Sequence, residues 1–385
     1  MFQTSYIELS EQAIKNNIKF INDFLGEKVT FSSVVKGNAY GHGIENYCPL
    51  AHKYGVRHFS VFSAGEALKV TKALSNNEFT LMIMGEITND ELSWAIENEV
   101  EFYVFEHNRL NAAIATAKKI GKKARIHVEL ETGMNRTGFP QKEMAKTIDK
   151  IKNNIDYVEI KGICTHFAGA ENIANYKRIK DQFSRYKRYV SKLDSSPWLK
   201  AKKHLASSAA TIRYPNSQMD LVRIGILQFG FFPTQEIFVH YTSKYKTRKN
   251  PLKPILSWKT KVMDIKTVKS GEFVGYGTSF FTNHVTKIAL VPVGYSFGYS
   301  RSLSNNGKVL IKGARFDVIG TVNMSMMAVD VTSSESSIEK GDEVVLIGVQ
   351  GDQELSVSSF SDFSQLINYE LLTRLPQDIS RTIIK

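Results

Sequence analysis

Between residues 29 and 225, short β-rich runs alternate with longer helix-like stretches, and this alternation limits the fold more than any other feature. The eight runs lie at 29–35, 58–62, 79–84, 101–105, 124–130, 158–165, 203–206 and 220–224. Apolar residues recur at i, i+3 and i+4 in the stretches between them, for example in GEALKVTKAL and RLNAAIATAKKI, as in amphipathic helices. Strands that alternate with helices form a parallel sheet. Eight such units in roughly 200 residues predict a (β/α)8 barrel.

An open, doubly wound parallel sheet is the alternative for this part of the chain. Such sheets usually have fewer strands and carry a Gly-rich phosphate-binding turn after the first strand. No G-x-G-x-x-G motif follows the first run here. The eight-stranded TIM barrel is therefore the α/β fold that we expect.

The pattern changes after a basic segment at 244–253. Short runs rich in Val and Ile follow, broken by Gly, Asn and Asp, and helical periodicity is nearly absent until the C-terminus. Such runs predict a mostly antiparallel β domain. We expect the barrel to comprise residues 1–238 and the C-terminal β domain to comprise residues 239–385.

Composition and charge exclude several classes of protein. The 385 residues include 50 Lys and Arg against 38 Asp and Glu, a formal net charge of +12. The basic residues are scattered and no nucleic-acid-binding motif accompanies them, so we interpret the charge as a solvated surface. Two Cys exclude a disulfide scaffold, and no group of ligands has metal-site spacing. Without a long apolar run or a secretory signal, we expect a cytoplasmic protein that binds neither membrane nor nucleic acid.

Five of the predicted strands end in, or lead into, a titratable or phosphate-binding group. In a (β/α)8 barrel the C-terminal ends of the strands lie at one rim, where active sites form. The groups, in chain order, are Lys36, Glu129 with Arg136, His166, Ser208 and Arg223.

Lys36 is the most informative of these residues because it follows a run that would be buried. By position alone, a Lys that extends to solvent is the simpler interpretation. Ser208, Gly225 and Tyr40 favour another, since a hydroxyl and backbone N–H groups near a helix start can bind a phosphate. A lysine amine can bond covalently to a carbonyl cofactor, so a Lys and a phosphate site on one rim suggest pyridoxal phosphate.

Segments spread over both predicted domains resemble the bacterial alanine racemases, the fold-type III pyridoxal-phosphate enzymes. In order, they are VVKGNAYGHG, ETGMNRTGF, THFAG, HLASSAAT, VRIGI, GYGTSF, VPVGYSFGYSR and IGTVNM. The resemblance implies an amino-acid racemase that interconverts L-alanine and D-alanine and supplies D-alanine for peptidoglycan. It also implies pyridoxal 5'-phosphate as cofactor and a homodimer whose subunits share their active sites.

Two residues would carry the reaction on this resemblance. Lys36 would hold the cofactor and act as one acid/base, and Tyr276 would reach the opposite face from the partner subunit. Racemisation removes a proton from one face of Cα and returns one to the other, so one base for each face suits the chemistry. Both groups have reference pKa values near ~10, which a cationic Arg223 nearby would lower.

The resemblance also implies binding and supporting roles. Arg223 would face the pyridine nitrogen of the cofactor, and His166 would link Tyr276 to Arg223. The phosphate would be bound by Tyr40, Ser208, Gly225 and Ile226. The substrate would be bound by Arg136 and by the backbone of Met324. The supporting residues would be Glu129, His166 and Tyr295.

Several positions depart from the family pattern. Glu129 stands where the family commonly has a Lys, often carbamylated, and we expect its carboxylate to hold Arg136 through a bidentate pair. Asn323, Ser325 and Phe297 replace the usual Cys and two Asp residues. A pocket gains only ~1–3 kcal/mol of discrimination per methylene, so a racemase of serine, lysine or a broader set of amino acids stays an alternative.

Two further alternatives belong to other activities. A decarboxylase of basic amino acids usually carries a Cys in the segment around Met324, and 323–325 contains none. A non-catalytic pyridoxal-phosphate carrier would keep the barrel without the β domain and Tyr276. The presence of residues 240–385 speaks against that alternative.

Overall fold

Two sheets, one parallel and one mostly antiparallel, organise the chain. The computed structural model describes residues 3–193, 198–357 and 368–385. It consists of two units. The barrel unit comprises Ala13–Lys36 and Tyr47–Pro254, and the β unit comprises Met1–Gln12, Gly37–Asn46 and Ile255–Lys385.

The strands and helices of the described residues are numbered in chain order. The strands are β1 Ser5–Ser10, β2 Thr30–Val34, β3 His58–Val61, β4 Thr80–Ile83, β5 Glu101–Val104, β6 Ala124–Glu129, β7 Val158–Cys164, β8 Lys202–His204, β9 Leu221–Ile224, β10 Leu256–Lys261, β11 Asp264–Val268, β12 Thr286–Val291, β13 Lys308–Ile311, β14 Ala314–Ile319, β15 Met327–Asp330, β16 Glu343–Gln350, β17 Gln353–Leu355 and β18 Ser380–Ile384. The helices are α1 Glu11–Leu25, α2 Lys36–Tyr40, α3 Ile44–Lys53, α4 Ala64–Ala73, α5 Asn89–Glu97, α6 His107–Ile120, α7 Met144–Lys152, α8 Tyr176–Val190, α9 Ser208–Arg213, α10 Gln235–Tyr245 and α11 Asn368–Arg374.

The barrel unit contains a parallel sheet with the strand order β8-β7-β6-β5-β4-β3-β2-β9. The two end strands meet: Asp220 N–H donates to Lys203 O at 3.1 Å, and Arg223 N–H donates to Ala206 O at 2.9 Å. The strands are buried along most of their length, as expected for a sheet covered by helices. The eight β-rich runs of the sequence are these eight strands, so the predicted barrel is confirmed.

Helix α6 illustrates why the intervening segments are helical. At its start, the Glu106 carboxylate accepts hydrogen bonds from the N–H groups of Asn108 and Arg109 at 2.6 and 2.5 Å, which satisfies donors that the helix leaves free. The helix ends at Gly121, whose φ of 76° is left-handed, a conformation that glycine adopts readily. Its buried face consists of Leu110, Ala113, Ile114 and Ala117. No helix in the described ranges is long and apolar enough to cross a membrane.

The β unit contains a sheet with the order β11-β12-β15-β14-β13-β16-β10-β1-β18, and β17 pairs with β16. Neighbouring strands are antiparallel throughout this sheet except for β1 and β18, which are parallel. The expected mostly antiparallel C-terminal domain is therefore confirmed.

The units differ from the predicted division into 1–238 and 239–385 at three places, one of which is the segment Gly37–Asn46 that belongs to the β unit. Strand β1 pairs with β10, with Ile7 opposite Trp258, so the N-terminal strand belongs to the β unit. Helix α10 continues to Tyr245 within the barrel unit, which ends at Pro254. The alternating burial of β1 identifies a half-buried strand but does not reveal which sheet receives it.

Candidate active site

Lys36 lies two residues after the end of strand β2 and begins α2, which is a left-handed turn. Gly37, Asn38, Ala39 and Tyr40 all have φ between 51° and 62°, a region that costs L-residues roughly 1–2 kcal/mol each. Burial by surrounding atoms lowers the pKa of the Lys36 amine, and the Arg136 charge lowers it further. A lower pKa gives more free amine at neutral pH, which a nucleophile or a base needs.

Hydrogen bonds hold the left-handed turn in place. Gly41 N–H donates to Gly37 O at 2.9 Å and Ile44 N–H to Asn38 Oδ1 at 3.1 Å. The buried His42 ring bonds through Nδ1 to Ala39 O at 2.9 Å and to a second carbonyl at 3.0 Å, so Nδ1 carries the proton. Burial lowers the pKa of His42 to about 4, and the neutral ring stabilises the turn, as expected for a structural residue.

Tyr40 lies at the end of this turn in the β unit. Its ring is 6.2 Å from the ring of Tyr369, in an edge-to-face arrangement. Burial raises the pKa of Tyr40, so the phenol stays protonated and can donate a hydrogen bond. Its predicted contact with a phosphate stays a prediction.

Arg223 is fixed inside the barrel unit by its hydrogen bonds. The residue lies on β9 and is 5% exposed. Its Nη2 donates to Thr165 O at 2.8 Å and Leu205 O at 3.2 Å, while Nη1 lies 2.5 Å from His204 Nδ1. Because Arg remains protonated in proteins, the site contains a fixed positive charge that can donate to a ring nitrogen.

Ser208 and Gly225 come together at the end of the barrel strands. Ser208 begins α9, and its hydroxyl accepts a hydrogen bond from Gly225 N–H at 3.0 Å. Ile226 begins a 3-10 turn, Ile226–Phe229, directly after Gly225. A hydroxyl beside backbone N–H groups at the start of helical turns is suited to a phosphate.

Glu129 and Arg136 do not form the predicted ion pair. Glu129 is 4% exposed at the end of β6, and its carboxylate bonds to Thr137. Burial raises the pKa of Glu129 although Thr137 and two Arg residues act against it. Within the described ranges, no ion pair within 4.0 Å joins Glu129 to Arg136, so the expected bidentate pair is wrong.

Another carboxylate orders the loop that carries Arg136. Glu131 accepts hydrogen bonds from Gly133 N–H and from Asn135 N–H, the latter at 2.9 Å. Asn135 has a φ of 56°, and the Arg136 side chain is exposed. The guanidinium is therefore accessible to a solute carboxylate.

His166 lies beside Arg223, as its predicted role requires. Its Nδ1 is 3.4 Å from Arg223 Nη2. Burial lowers the pKa of His166 to about 3, with further contributions from Arg223, Arg136 and Lys36. The imidazole is therefore neutral at pH 7. Its predicted link to Tyr276 stays a prediction.

The β unit carries the other predicted site residues on exposed loops. Tyr276, Tyr295 and Met324 are 75%, 42% and 59% exposed. Tyr295 N–H donates to Asn323 O at 3.0 Å, and the Thr321 hydroxyl donates to Tyr276 O at 3.5 Å. The three loops thus meet at one surface of the unit, and large exposed apolar side chains of this kind commonly mark an interaction site.

A series of buried polar side chains starts at Arg223 and was not predicted from the sequence. His204 Nε2 lies 2.8 Å from His127 Nδ1, and His127 Nε2 lies 2.8 Å from Glu101 Oε2. We call Arg223, His204, His127 and Glu101 the polar chain; each is at most 5% exposed. The available signal was a titratable residue inside each of the runs EFYVF, ARIHVEL and KHLA, which were predicted to be buried strands.

The comparisons with known proteins agree with both units. Residues 9–233 match the family model for the alanine racemase N-terminal domain, and residues 255–383 match the model for its C-terminal domain. An alanine racemase of Leptospira interrogans is 32% identical over 382 residues, which covers 99% of this chain and 96% of the relative.

Solved alanine racemase structures match this chain over its full length. An alanine racemase of Clostridium difficile 630 superposes with a TM-score of 0.90 at 28% identity, covering 100% of this chain and 96% of that one. The alanine racemase of Bartonella henselae with covalently bound pyridoxal phosphate gives a TM-score of 0.86 at 26% identity, covering 100% of both chains. The chain belongs to the alanine racemase family of enzymes.

Proposed function

We propose that this chain is a pyridoxal 5'-phosphate-dependent racemase that interconverts L-alanine and D-alanine. The observation that carries the proposal is the arrangement in the barrel unit, where Lys36 has a lowered pKa, Arg223 is fixed at the barrel interior, and Ser208 bonds to Gly225 N–H. The full-length similarity to alanine racemases supports alanine as the substrate. We infer a cytoplasmic role in supplying D-alanine for peptidoglycan.

The residues of the barrel unit fit the proposed cofactor. Lys36 supplies an amine for its aldehyde, and Ser208, Gly225 and Ile226 supply a hydroxyl and backbone N–H groups for its phosphate. Arg223 can donate to the ring nitrogen but cannot pass it a proton at neutral pH, so that nitrogen stays unprotonated. When bound, the cofactor withdraws electrons from the amino acid and makes its Cα–H acidic.

Two bases on opposite faces would then move the proton. Lys36 Nζ would take or return the proton on one face, which its lowered pKa favours at neutral pH. The hydroxyl of Tyr276 of the partner subunit would do so on the other face. The 75% exposure of the Tyr276 side chain within its own chain supports a role across a homodimer interface.

Substrate binding would use the exposed Arg136 guanidinium and the loop at Met324. Arg recognises carboxylates through two parallel hydrogen bonds, and Arg136 makes no ion pair within 4.0 Å among the described residues. The Met324 carbonyl accepts from Ser296 N–H at 3.0 Å and from the Ser296 hydroxyl at 2.7 Å. These bonds would fix the backbone whose N–H group we propose as a donor to the substrate.

A deuterium-exchange assay tests this function. The purified protein, loaded with pyridoxal phosphate, is incubated in D₂O with L-alanine, L-serine or L-lysine in separate reactions. We expect D-alanine that carries deuterium at Cα, and less or no product from the other two amino acids. Absence of D-alanine would contradict the proposed function. Faster turnover of serine or lysine would show that alanine is not the preferred substrate.

A lysine substitution tests the role of Lys36 within the same assay. Lys36→Ala should abolish both racemisation and the long-wavelength absorbance of the covalently bound cofactor, since no other amine is proposed to form that bond. Lys28→Ala removes an exposed lysine just before strand β2 and should change neither the racemisation nor the absorbance. A full absorbance band in Lys36→Ala would show that the assignment is wrong.

A further inference from the structure

The polar chain crosses the interior of the barrel, where apolar layers are usual. Buried polar groups cost free energy unless they are hydrogen-bonded, and buried charges cost more. Each link of this chain is a hydrogen bond of 2.5 to 2.8 Å. Such a continuous series between a buried cation and a buried carboxylate therefore calls for a functional explanation.

The direction of every hydrogen bond in the polar chain follows from its two ends, the Arg223 guanidinium and the Glu101 carboxylate. A guanidinium can only donate, so His204 Nδ1 accepts and the proton of the neutral ring lies on Nε2. That proton is donated to His127 Nδ1, which places the His127 proton on Nε2, facing Glu101. The carboxylate at the end can only accept. Burial and the Arg223 charge hold the pKa of His204 well below its usual range, which keeps this ring neutral.

The charges at the two ends balance each other. The contacts of the Arg223 guanidinium are with carbonyl oxygens and imidazole nitrogens; among the described residues, none is with a carboxylate. Glu101 carries negative charge, since the hydrogen bond from His127 and the nearby His58 imidazole outweigh burial and lower the pKa of its carboxyl group. Two polarised imidazoles thus connect a buried cation to a buried anion.

The backbone is shaped to permit this connection. His127 lies on β6 and His204 on β8, with β7 between them. A register irregularity after Ile126 places His127 opposite Gly162 of β7. A Cβ atom at Gly162 would overlap His127 Nδ1 and crowd His204 Nε2, so only glycine lets the two rings meet.

Other groups surround Glu101 without replacing this link. His58 Nε2 of β3 lies 3.5 Å from Glu101 Oε2, and Lys161 Nζ of β7 lies 3.9 Å from Glu101 Oε1. His58 Nδ1 lies 2.9 Å from the Ser32 hydroxyl. The contacts of His58 and Lys161 with Glu101 are longer than the 2.8 Å bond from His127, so His127 is the principal partner of the carboxylate.

We propose that Glu101 is a positioning residue for Arg223: through His127 and His204, its carboxylate fixes both imidazoles as Nε2–H tautomers and so holds the guanidinium in the orientation that serves the ring nitrogen of the cofactor. The role of Arg223 toward the cofactor rests on the proposed function. The tautomers of His127 and His204 do not rest on it, because they follow from the hydrogen bonds of the polar chain itself.

Glu101→Gln separates positioning from packing. Glutamine keeps the volume of the side chain but loses the charge, and its amide can present either an oxygen or an N–H group to His127. Only the Arg223 end of the polar chain then imposes the direction of its hydrogen bonds. Glu99→Gln is the matched control, because it makes the same charge change two residues earlier, where the exposed carboxylate pairs with half-buried Arg125 at 2.8 Å.

Nitrogen NMR of histidine-labelled protein loaded with the cofactor reads the tautomers directly, with signals assigned through His127→Gln and His204→Gln. We expect Nε2–H signals from both rings in the wild type and in Glu99→Gln, and altered His127 and His204 signals in Glu101→Gln. An Nδ1–H signal from either ring of the wild type overturns the proposal, even if Glu101→Gln does not fold.

Kinetics supply the second readout. We expect Glu101→Gln to lower kcat for alanine about tenfold, which corresponds to about 1.4 kcal/mol, with KM changed less than about twofold. Glu99→Gln should match the wild type. A folded Glu101→Gln with unchanged kcat and unchanged tautomer signals overturns the proposal. A wild type that does not racemise alanine contradicts the proposed function instead, while its NMR signals still test the polar chain.

Discussion

Buried histidine side chains are kept neutral by their surroundings. Burial lowers the pKa of His42 to about 4, and burial together with nearby cations lowers that of His166 to about 3. In the unfolded chain each imidazole would have a pKa near ~6.5. Below that value the unfolded state binds more protons than the folded state, so the free energy of unfolding falls as the pH decreases towards the folded-state values.

Acid should therefore destabilise the fold through single buried histidines. The melting temperature should be lower at pH 5 than at pH 7. The free energy of unfolding should fall by about 2 kcal/mol between pH 7 and pH 5 because of His42 alone, given its folded-state and unfolded-state pKa values. His42→Asn should reduce the dependence on pH, whereas His284→Asn, at an exposed site, should not. Thermal melts at the two pH values measure this, and an equal dependence in His42→Asn and the wild type would contradict it.

The left-handed turn after Lys36 is the most demanding element of the chain. Its residues Asn38, Ala39 and Tyr40 have φ values that disfavour L-residues, and the bonds of His42 and Asn38 maintain them. Gly41 continues the turn at φ 82°, and a Cβ atom there would overlap the carbonyl oxygen of Leu372. Strained backbone of this kind is frequent at functional sites.

Substitution of Gly41 should destabilise the protein strongly. Gly41→Ala would impose both a left-handed Ala and a collision with backbone, so we expect a loss of more than ~3 kcal/mol in the free energy of unfolding. Gly26→Ala is the control: φ is 73°, but no atom lies within 4 Å of the added Cβ, so about 1 kcal/mol is expected. Urea unfolding distinguishes the two, and equal losses would contradict the role of the close approach.

Elements could be predicted from sequence where the signal was local. The eight barrel strands follow from apolar runs separated by helical periodicity, and β2 and β5 lie within one or two residues of the predicted limits. The sheet that receives β1 could not be predicted, because its partner β10 is some 250 residues distant in sequence.

Site residues could likewise be predicted where the signal was local, but their contacts could not. Lys36, Arg223 and Ser208 were recognised from their motifs. The partner of Glu129 was not, because Thr137 and Arg136 are adjacent in sequence and only the folded loop decides between them. The polar chain was missed because its links join β5, β6, β8 and β9, and the contacts depend on a register irregularity that leaves no mark in the sequence.

At the scale of the whole molecule, the proposed site would be divided between two chains. The barrel unit carries Lys36 and Arg223, and the β unit presents Tyr276 on exposed loops. Symmetric dimers use the same surface on both subunits, so two equivalent sites would form, each with Lys36 of one subunit and Tyr276 of the partner subunit. Neither residue would act in a monomer.

Subunit complementation tests this arrangement most directly. Lys36→Ala and Tyr276→Phe chains should be inactive as separate homodimers, but a mixed dimer would contain one site with both residues intact. After co-expression and random pairing, we predict about a quarter of the wild-type racemase activity per subunit, since half the dimers are mixed and each has one intact site. Mixed dimers that form, as native mass spectrometry would show, yet have no activity would contradict a site shared between subunits.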